Sequence, residues 1–217
     1  MSPPDPNGQA ALPGTLVVVE GIDGAGKSTL ARGLAEGLRA RGHRVILTAE
    51  PTHGVHGRAL RRALRGEERP SLEEEYRLFV ADRREHVEEV ILPGLREGAV
   101  VVCDRYYLST MAYQGARGLE MEAIREENEA FAPRPHLALV VELPVEEALA
   151  RIRRSRGLGP DLMEEEEYLR RVAARFREMD LPFVVRLDGR LPPQRLLQEA
   201  LRAVEERCPA VGRKDSH

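Results

Sequence analysis

Gly21-Ile22-Asp23-Gly24-Ala25-Gly26-Lys27-Ser28 fits the spacing G-x-x-x-x-G-K-[ST], in which a backbone loop wraps phosphate oxygens. Glycines let the chain turn and bring N–H groups close to the anion, and a helix start adds partial positive charge. The spacing predicts phosphate binding by Gly21, Ile22, Asp23, Gly24, Ala25, Gly26, Lys27, Ser28 and Thr29, with the Ser28 hydroxyl suited to Mg²⁺. Lysine occurs only at Lys27 and Lys214, although lysine and arginine together number 33. A chain that uses arginine almost everywhere keeps a compact ammonium where a planar guanidinium would not fit, which points to Lys27 as a catalytic point charge.

A second cluster follows an apolar run. Ala99-Val100-Val101-Val102-Cys103 leads into Asp104-Arg105-Tyr106-Tyr107. An acid at the end of a buried strand can partner a metal's water shell or the loop serine, and the next arginine can bridge phosphates. On spacing alone, Asp104 also reads as a helix cap with Arg105 on its flank. Further on, Arg151-Ile152-Arg153-Arg154-Ser155-Arg156 precedes Gly157-Leu158-Gly159-Pro160. That pattern suits a hinged, phosphate-seeking flap, or else a solvated basic helix end.

These residues need a frame. Thr15–Glu20 reads as a buried strand and Ser28–Arg41 as a helix, so the glycine loop joins strand to helix. Further strands are predicted over Arg44–Thr48, Ala99–Cys103, Leu137–Glu142 and Phe183–Leu187. Helices are predicted over Val55–Arg65, Leu72–Glu89, Leu108–Gln114, Glu120–Ala132, Val145–Arg154, Glu164–Glu178 and Pro193–Arg207. The alternation implies an α/β fold, a five-stranded parallel sheet with helices on both faces and a ligand crevice at the strands' carboxyl ends. Residues 15–207 read as one domain, with a mobile lid at about 151–165 and flexible tails at 1–14 and 208–217.

A net charge of −3 argues against a dedicated nucleic-acid binder. No apolar run approaches a membrane span, and residues 1–14 lack the core of a signal peptide. Cys103 within a strand and Cys208 beside the tail call for neither a disulfide nor a metal site, so the expected compartment is the cytoplasm, with no membrane partner. GTP-binding switches read guanine with Asn-Lys-x-Asp, but this chain has no lysine between residues 28 and 213. The Ser-Gly-Gly-Gln signature of transporter ATPases is also absent. A small kinase acting on a nucleotide or another metabolite remains.

Glu50-Pro51, Phe79-Val80-Ala81-Asp82-Arg83, Asp104-Arg105-Tyr106 and Ser109-Thr110-Met111-Ala112-Tyr113-Gln114-Gly115 together resemble bacterial thymidylate kinase over roughly residues 16–206. The resemblance implies the nucleoside monophosphate kinase fold, a homodimer, and Mg²⁺-dependent transfer of the ATP γ-phosphoryl group to dTMP. It implies an acceptor site of Asp23, Glu50, Pro51, Phe79, Arg83, Arg105, Thr110, Tyr113 and Gln114. In it Phe79 stacks on thymine, Arg83 bonds the base edge and Thr110 touches the base. Asp23 accepts the sugar 3′-hydroxyl, Arg105 holds the acceptor phosphate and Tyr113 crowds the 2′ position. Without the resemblance Phe79 would read as core and Arg83 as solvated. Ser28 and Asp104 are the residues expected to serve the metal, from the loop spacing and the strand end, and the resemblance further implies that, with Ala25 in the loop where an arginine could stand, the catalytic arginine is in the lid, at Arg153 or Arg156.

Two positions depart from the family pattern. Ala49 stands where Arg-Glu-Pro would begin, and Leu162 stands where the lid commonly has arginine. They leave open a different nucleoside monophosphate acceptor, a catalytically weakened nucleotide-binding regulator, or compensation by Arg58, Arg61, Arg153 or Arg156. The acceptor phosphate, with a second pKa of about 6, is already largely dianionic at pH 7, so no general base is required.

Overall fold

A computed structural model describes residues 12–65, 70–156 and 162–212. Five strands form one parallel sheet: β1 (Thr15–Gly21), β2 (Val45–Ala49), β3 (Val100–Asp104), β4 (Leu137–Glu142) and β5 (Val184–Asp188), in the order β2-β3-β1-β4-β5. The α/β fold is the one expected of a nucleoside monophosphate kinase. Every residue of β1 is buried, which requires cover on both faces of the sheet. Helices α1 (Lys27–Ala40) and α9 (Pro193–Arg207) pack together on one face, and α5 (Tyr107–Gly115) with α8 (Leu162–Glu178) on the other. Edge strands β2 and β5 keep several residues partly exposed.

The central β1–β3 and β1–β4 pairings align the strand ends, with Val19 beside Asp104 and Gly21 beside Val141. β1 and β3 therefore deliver the glycine loop and Asp104 to one rim of the sheet. The remaining helices are α2 (Val55–Arg65), α3 (Leu72–His86), α4 (Leu92–Arg96), α6 (Met121–Glu129), α7 (Val145–Arg156) and α10 (Pro209–Gly212).

Three findings differ from the expected boundaries. The third helix does not stop at Glu89 but runs through a π turn, Val87–Ile91, into α4. Pro93 sits in the first turn of α4, where its missing N–H costs no helical bond, and the wider turn relieves the clash a proline ring makes inside an α-helix. The C-terminal tail does not begin at residue 208: Cys208 and Val211, three residues apart, are both buried, and α10 packs on α9. At the other end Leu12 packs on the core, and the Gly14 N–H donates to the Leu95 carbonyl at 2.8 Å. Residues 157–161 of the expected lid lie outside the described residues, and both cysteines are free and buried.

Leu139 is fully buried in β4. Leu139→Ala should lower stability by about 2–5 kcal/mol, the cost of lost transfer energy plus a cavity. The check is an earlier urea midpoint with an unchanged denaturant slope.

Candidate active site

The loop after β1 closes around one ammonium. Gly24 has φ +79°, and a Cβ there would stand 2.4 Å from the Ala148 carbonyl oxygen, so only glycine lets the loop lie this close to α7. Gly26, at φ +98°, precedes α1 without a side-chain cap, which leaves the first N–H groups of α1 to the loop's ligand. Lys27 is 5% exposed and donates from Nζ to the Ile22 carbonyl at 2.7 Å, with Asp23 Oδ1 at 3.9 Å. Desolvation, reinforced by the Arg105 charge, pushes its pKa down to about 7, against the pull of Asp23, Asp104 and Glu20. An arriving polyanion would reverse that balance. Ser28 and Thr29 are exposed at the loop's end.

Ser28 Oγ donates to Asp104 Oδ2, which joins the start of α1 to the end of β3. The other oxygen, Asp104 Oδ1, is buried with no hydrogen-bond partner among the described residues. A hydroxyl and an orphaned carboxylate oxygen are a hard, oxygen-only donor pair, so these residues fit Mg²⁺, which takes few protein ligands and keeps water and phosphate oxygens for the rest.

Arg105 follows at φ 70°, the left-handed region that costs a side-chain-bearing residue about 1–2 kcal/mol. Its N–H donates to the Val19 carbonyl at 3.0 Å, which fixes the bend. Its guanidinium donates to Asp23 Oδ1 and to Ser109 Oγ (3.2 Å), and lies 5.1 Å from the Tyr113 ring centre. The Tyr113 hydroxyl accepts from the Asp23 N–H at 2.9 Å. Burial pushes the Tyr113 pKa up to about 12 against the opposing Arg105 charge, so it stays a neutral phenol.

Glu20, fully buried at the end of β1, was not singled out by sequence reasoning. Its Oε1 accepts from Tyr106 N (2.8 Å) and Ser109 N (3.3 Å), and its Oε2 from the Ser109 hydroxyl. It thereby caps α5 from another element, a role for which an acid ending an apolar strand was the available signal. Burial raises its pKa to about 7, opposed by the Ser109 bond and the Arg105 charge.

On the other side of Asp104, a cleft of about 510 Å³ is lined by Ser28, Asp104, Ala49, Pro51, Thr52 and Arg61. Ala49 is exposed on it. Of the arginines that could compensate, Arg61 lines this cleft and donates to the Pro51 and Thr52 carbonyls, whereas Arg58 is exposed and donates to the His53 carbonyl at 2.6 Å. Glu50 and Arg83 are both buried: Glu50 Oε2 accepts Arg83 Nε (2.9 Å) and Nη2 (2.6 Å), and Glu50 Oε1 faces His86 Nδ1 (3.0 Å). Arg83 also donates to Asn128 Oδ1 (2.6 Å) and Thr110 Oγ1 (3.0 Å), so Thr110 sits behind the guanidinium. Desolvation pushes the Glu50 pKa up, but Arg83 and His86 outweigh it and the net shift is downward. Phe79 is half-buried on α3, and Gln114 is buried on α5.

Among the described residues of the lid segment, Arg151 rather than Arg153 reaches the loop. Arg151 donates to the Ala25 carbonyl (3.4 Å) and the Gly189 carbonyl (2.9 Å). Arg153 is exposed, and the side chains of Arg156 and Leu162 lie outside the described residues. A second cleft, of about 720 Å³, opens between the β4 and β5 ends and α8. Its Arg170, Arg186 and Arg190 are each paired to a carboxylate.

With this geometry in view, the chain matches the thymidylate kinase family over residues 19–191. It is 45% identical over 172 residues to the thymidylate kinase of Desulfotalea psychrophila, covering 79% of this chain and 85% of that one. Over 187 residues it is 46% identical to the thymidylate kinase of Xanthomonas euvesicatoria pv. vesicatoria and 44% identical to that of Xanthomonas oryzae pv. oryzae, covering 86% of this chain and 81% of each.

The Glu20 shift has a defined sign. With a pKa raised from 4.5 to about 7, Glu20 favours the fold when protonated, and its contribution is lost as pH rises through about 7. Glu20→Gln cannot ionise, so its melting temperature relative to the wild type should rise between pH 5 and pH 8. A difference that is flat with pH, or falls, contradicts this assignment.

Proposed function

The chain belongs to the thymidylate kinase family and phosphorylates dTMP to dTDP, and from that premise we propose how its own residues carry the reaction. ATP lies with its phosphates in the loop Gly21–Thr29, against the start of α1. Lys27 supplies the compact charge at the transferred group. Ser28 and Asp104 would hold Mg²⁺, which when bound neutralises phosphate charge and orients the donor. Arg105 and Arg61 take the acceptor phosphate from either side of Asp104. Arg151 fastens the root of the lid to the loop, and Arg153 and Arg156 close over the donor phosphates.

Asp23 accepts the sugar 3′-hydroxyl while bound to Arg105, and Tyr113 leaves no room for a 2′-hydroxyl. Glu50 holds Arg83, and Pro51 shapes the cleft beside them. Catalysis is then positioning and charge neutralisation in a partly desolvated site. The observation that carries this reading is the convergence of Lys27, the Ser28–Asp104 pair and the Arg105–Asp23–Tyr113 cluster on one rim of the sheet. We also propose a homodimer, as the resemblance implies, and a cytoplasmic location, which two free buried cysteines support. No helix of the described residues is long and apolar enough to cross a membrane.

Lys27→Arg should fold normally yet lose at least ~100-fold in kcat, the scale of one preorganised charge contact. Near-normal turnover in that variant would sink the role given to Lys27. Among acceptors, dTMP should be preferred over UMP and CMP, and Tyr113→Ala should narrow the gap between deoxy and ribo substrates. Steady-state kinetics on the three nucleotides decides it, and an unchanged gap would remove Tyr113 from sugar selection.

A further inference from the structure

Glu75, Phe79 and Arg83 are spaced four residues apart on α3 and so share one helix face, and Thr110 and Gln114 do the same on α5, which packs against α3. Two cross-links join those faces. Arg83 Nη2 donates to Thr110 Oγ1 at 3.0 Å, and Gln114 Nε2 donates to Glu75 Oε1 at 2.9 Å. Phe79 lies between them in sequence.

Gln114 is 2% exposed, and its Oε1 is buried with no partner among the described residues. A buried unpaired carbonyl is costly, and a ligand N–H placed there relieves the cost. The orientation of that amide is fixed from behind. Glu75, itself 5% exposed, turns one oxygen to Gln114 and the other to Arg117 Nη1 at 2.7 Å. A carboxylate only accepts, so the amide must aim its NH₂ at Glu75 and its carbonyl away from it.

We propose that Glu75, clamped by Arg117, is the positioning residue that sets base specificity by holding the Gln114 carbonyl toward the acceptor base. The inference rests on the acceptor pose that the family resemblance implies, with the base on Phe79 and its edge toward the fifth N–H of Arg83, the one not donated to Glu50, Asn128 or Thr110. Thymine and uracil present a C4 carbonyl beside an N3–H, complementary to an arginine donor and a glutamine acceptor. Cytosine presents an amino donor beside an N3 lone pair, so both contacts become repulsive.

The test compares kcat/KM for dTMP, dUMP and dCMP in the wild type, Glu75→Gln and Gln114→Leu, with the ATP KM and melting temperature measured alongside. In Glu75→Gln the partner can donate as well as accept, so Gln114 is free to turn. The dTMP:dCMP ratio should fall about tenfold or more, the scale of a lost hydrogen-bond discrimination. The dTMP:dUMP ratio and the ATP KM should hold, since both bases share the imide edge. An equal loss on all three acceptors, or no change, overturns the proposal and leaves Glu75 as packing. If Gln114→Leu shifts the dTMP:dCMP ratio and Glu75→Gln does not, the lock alone is wrong. If neither shifts it, the base is not read at Gln114 and the acceptor pose falls too. Should Glu75→Gln not fold, Arg117→Gln serves in its place: a smaller fall in the same ratio supports the lock, and an unchanged ratio overturns it.

Discussion

The site depends on one fully buried carboxyl group. Glu20 ends the central strand and takes the N–H groups at the start of α5, the helix that carries Thr110, Tyr113 and Gln114. Losing an ordinary helix cap costs about 1 kcal/mol. Here the same contact also sets where α5 begins, directly after an arginine in the left-handed region. The strand that starts the phosphate loop therefore also positions the acceptor side, and both halves of the reaction are referenced to one residue.

The second fixed point is the chain of polar contacts from Thr48 through His86 and Glu50 to Arg83 and Asn128. Burying these charges yields little net stability, because desolvation consumes most of the attraction, while breaking one partner costs about 3–5 kcal/mol. Its effect is geometric. Four donated bonds hold one guanidinium in place, a precision that a solvated arginine would not have.

Periodicity and turn chemistry made the frame legible. The five strands lie within a residue of their expected bounds, and α2 and α9 coincide with theirs, because buried β-branched runs and amphipathic spacing are local signals. The π turn before Pro93 was not legible, since a proline there reads as a stop. In the site, the glycine loop and Asp104-Arg105 announce themselves by spacing. Arg83 does not: its partner Glu50 is 33 positions away, and only the fold brings them together. Glu75 is hidden for the same reason, lying in an acidic first turn that looks like ordinary dipole complementation. In the arginine cluster, composition could not tell Arg151, which reaches the loop, from Arg153, which faces solvent.

The burial of Lys27 bears on how the protein carries charge. It is the only amine side chain among the described residues, and nearly all other cations in the chain are guanidinium groups. A lysine-rich surface would begin to shed charge near pH 10, whereas guanidinium holds its proton past pH 12. Outside the site, the charge carried on guanidinium groups is thus constant across the range in which proteins function. The lysine enclosed by the phosphate loop, its pKa pushed down to about 7, is the cation whose charge a bound anion would secure.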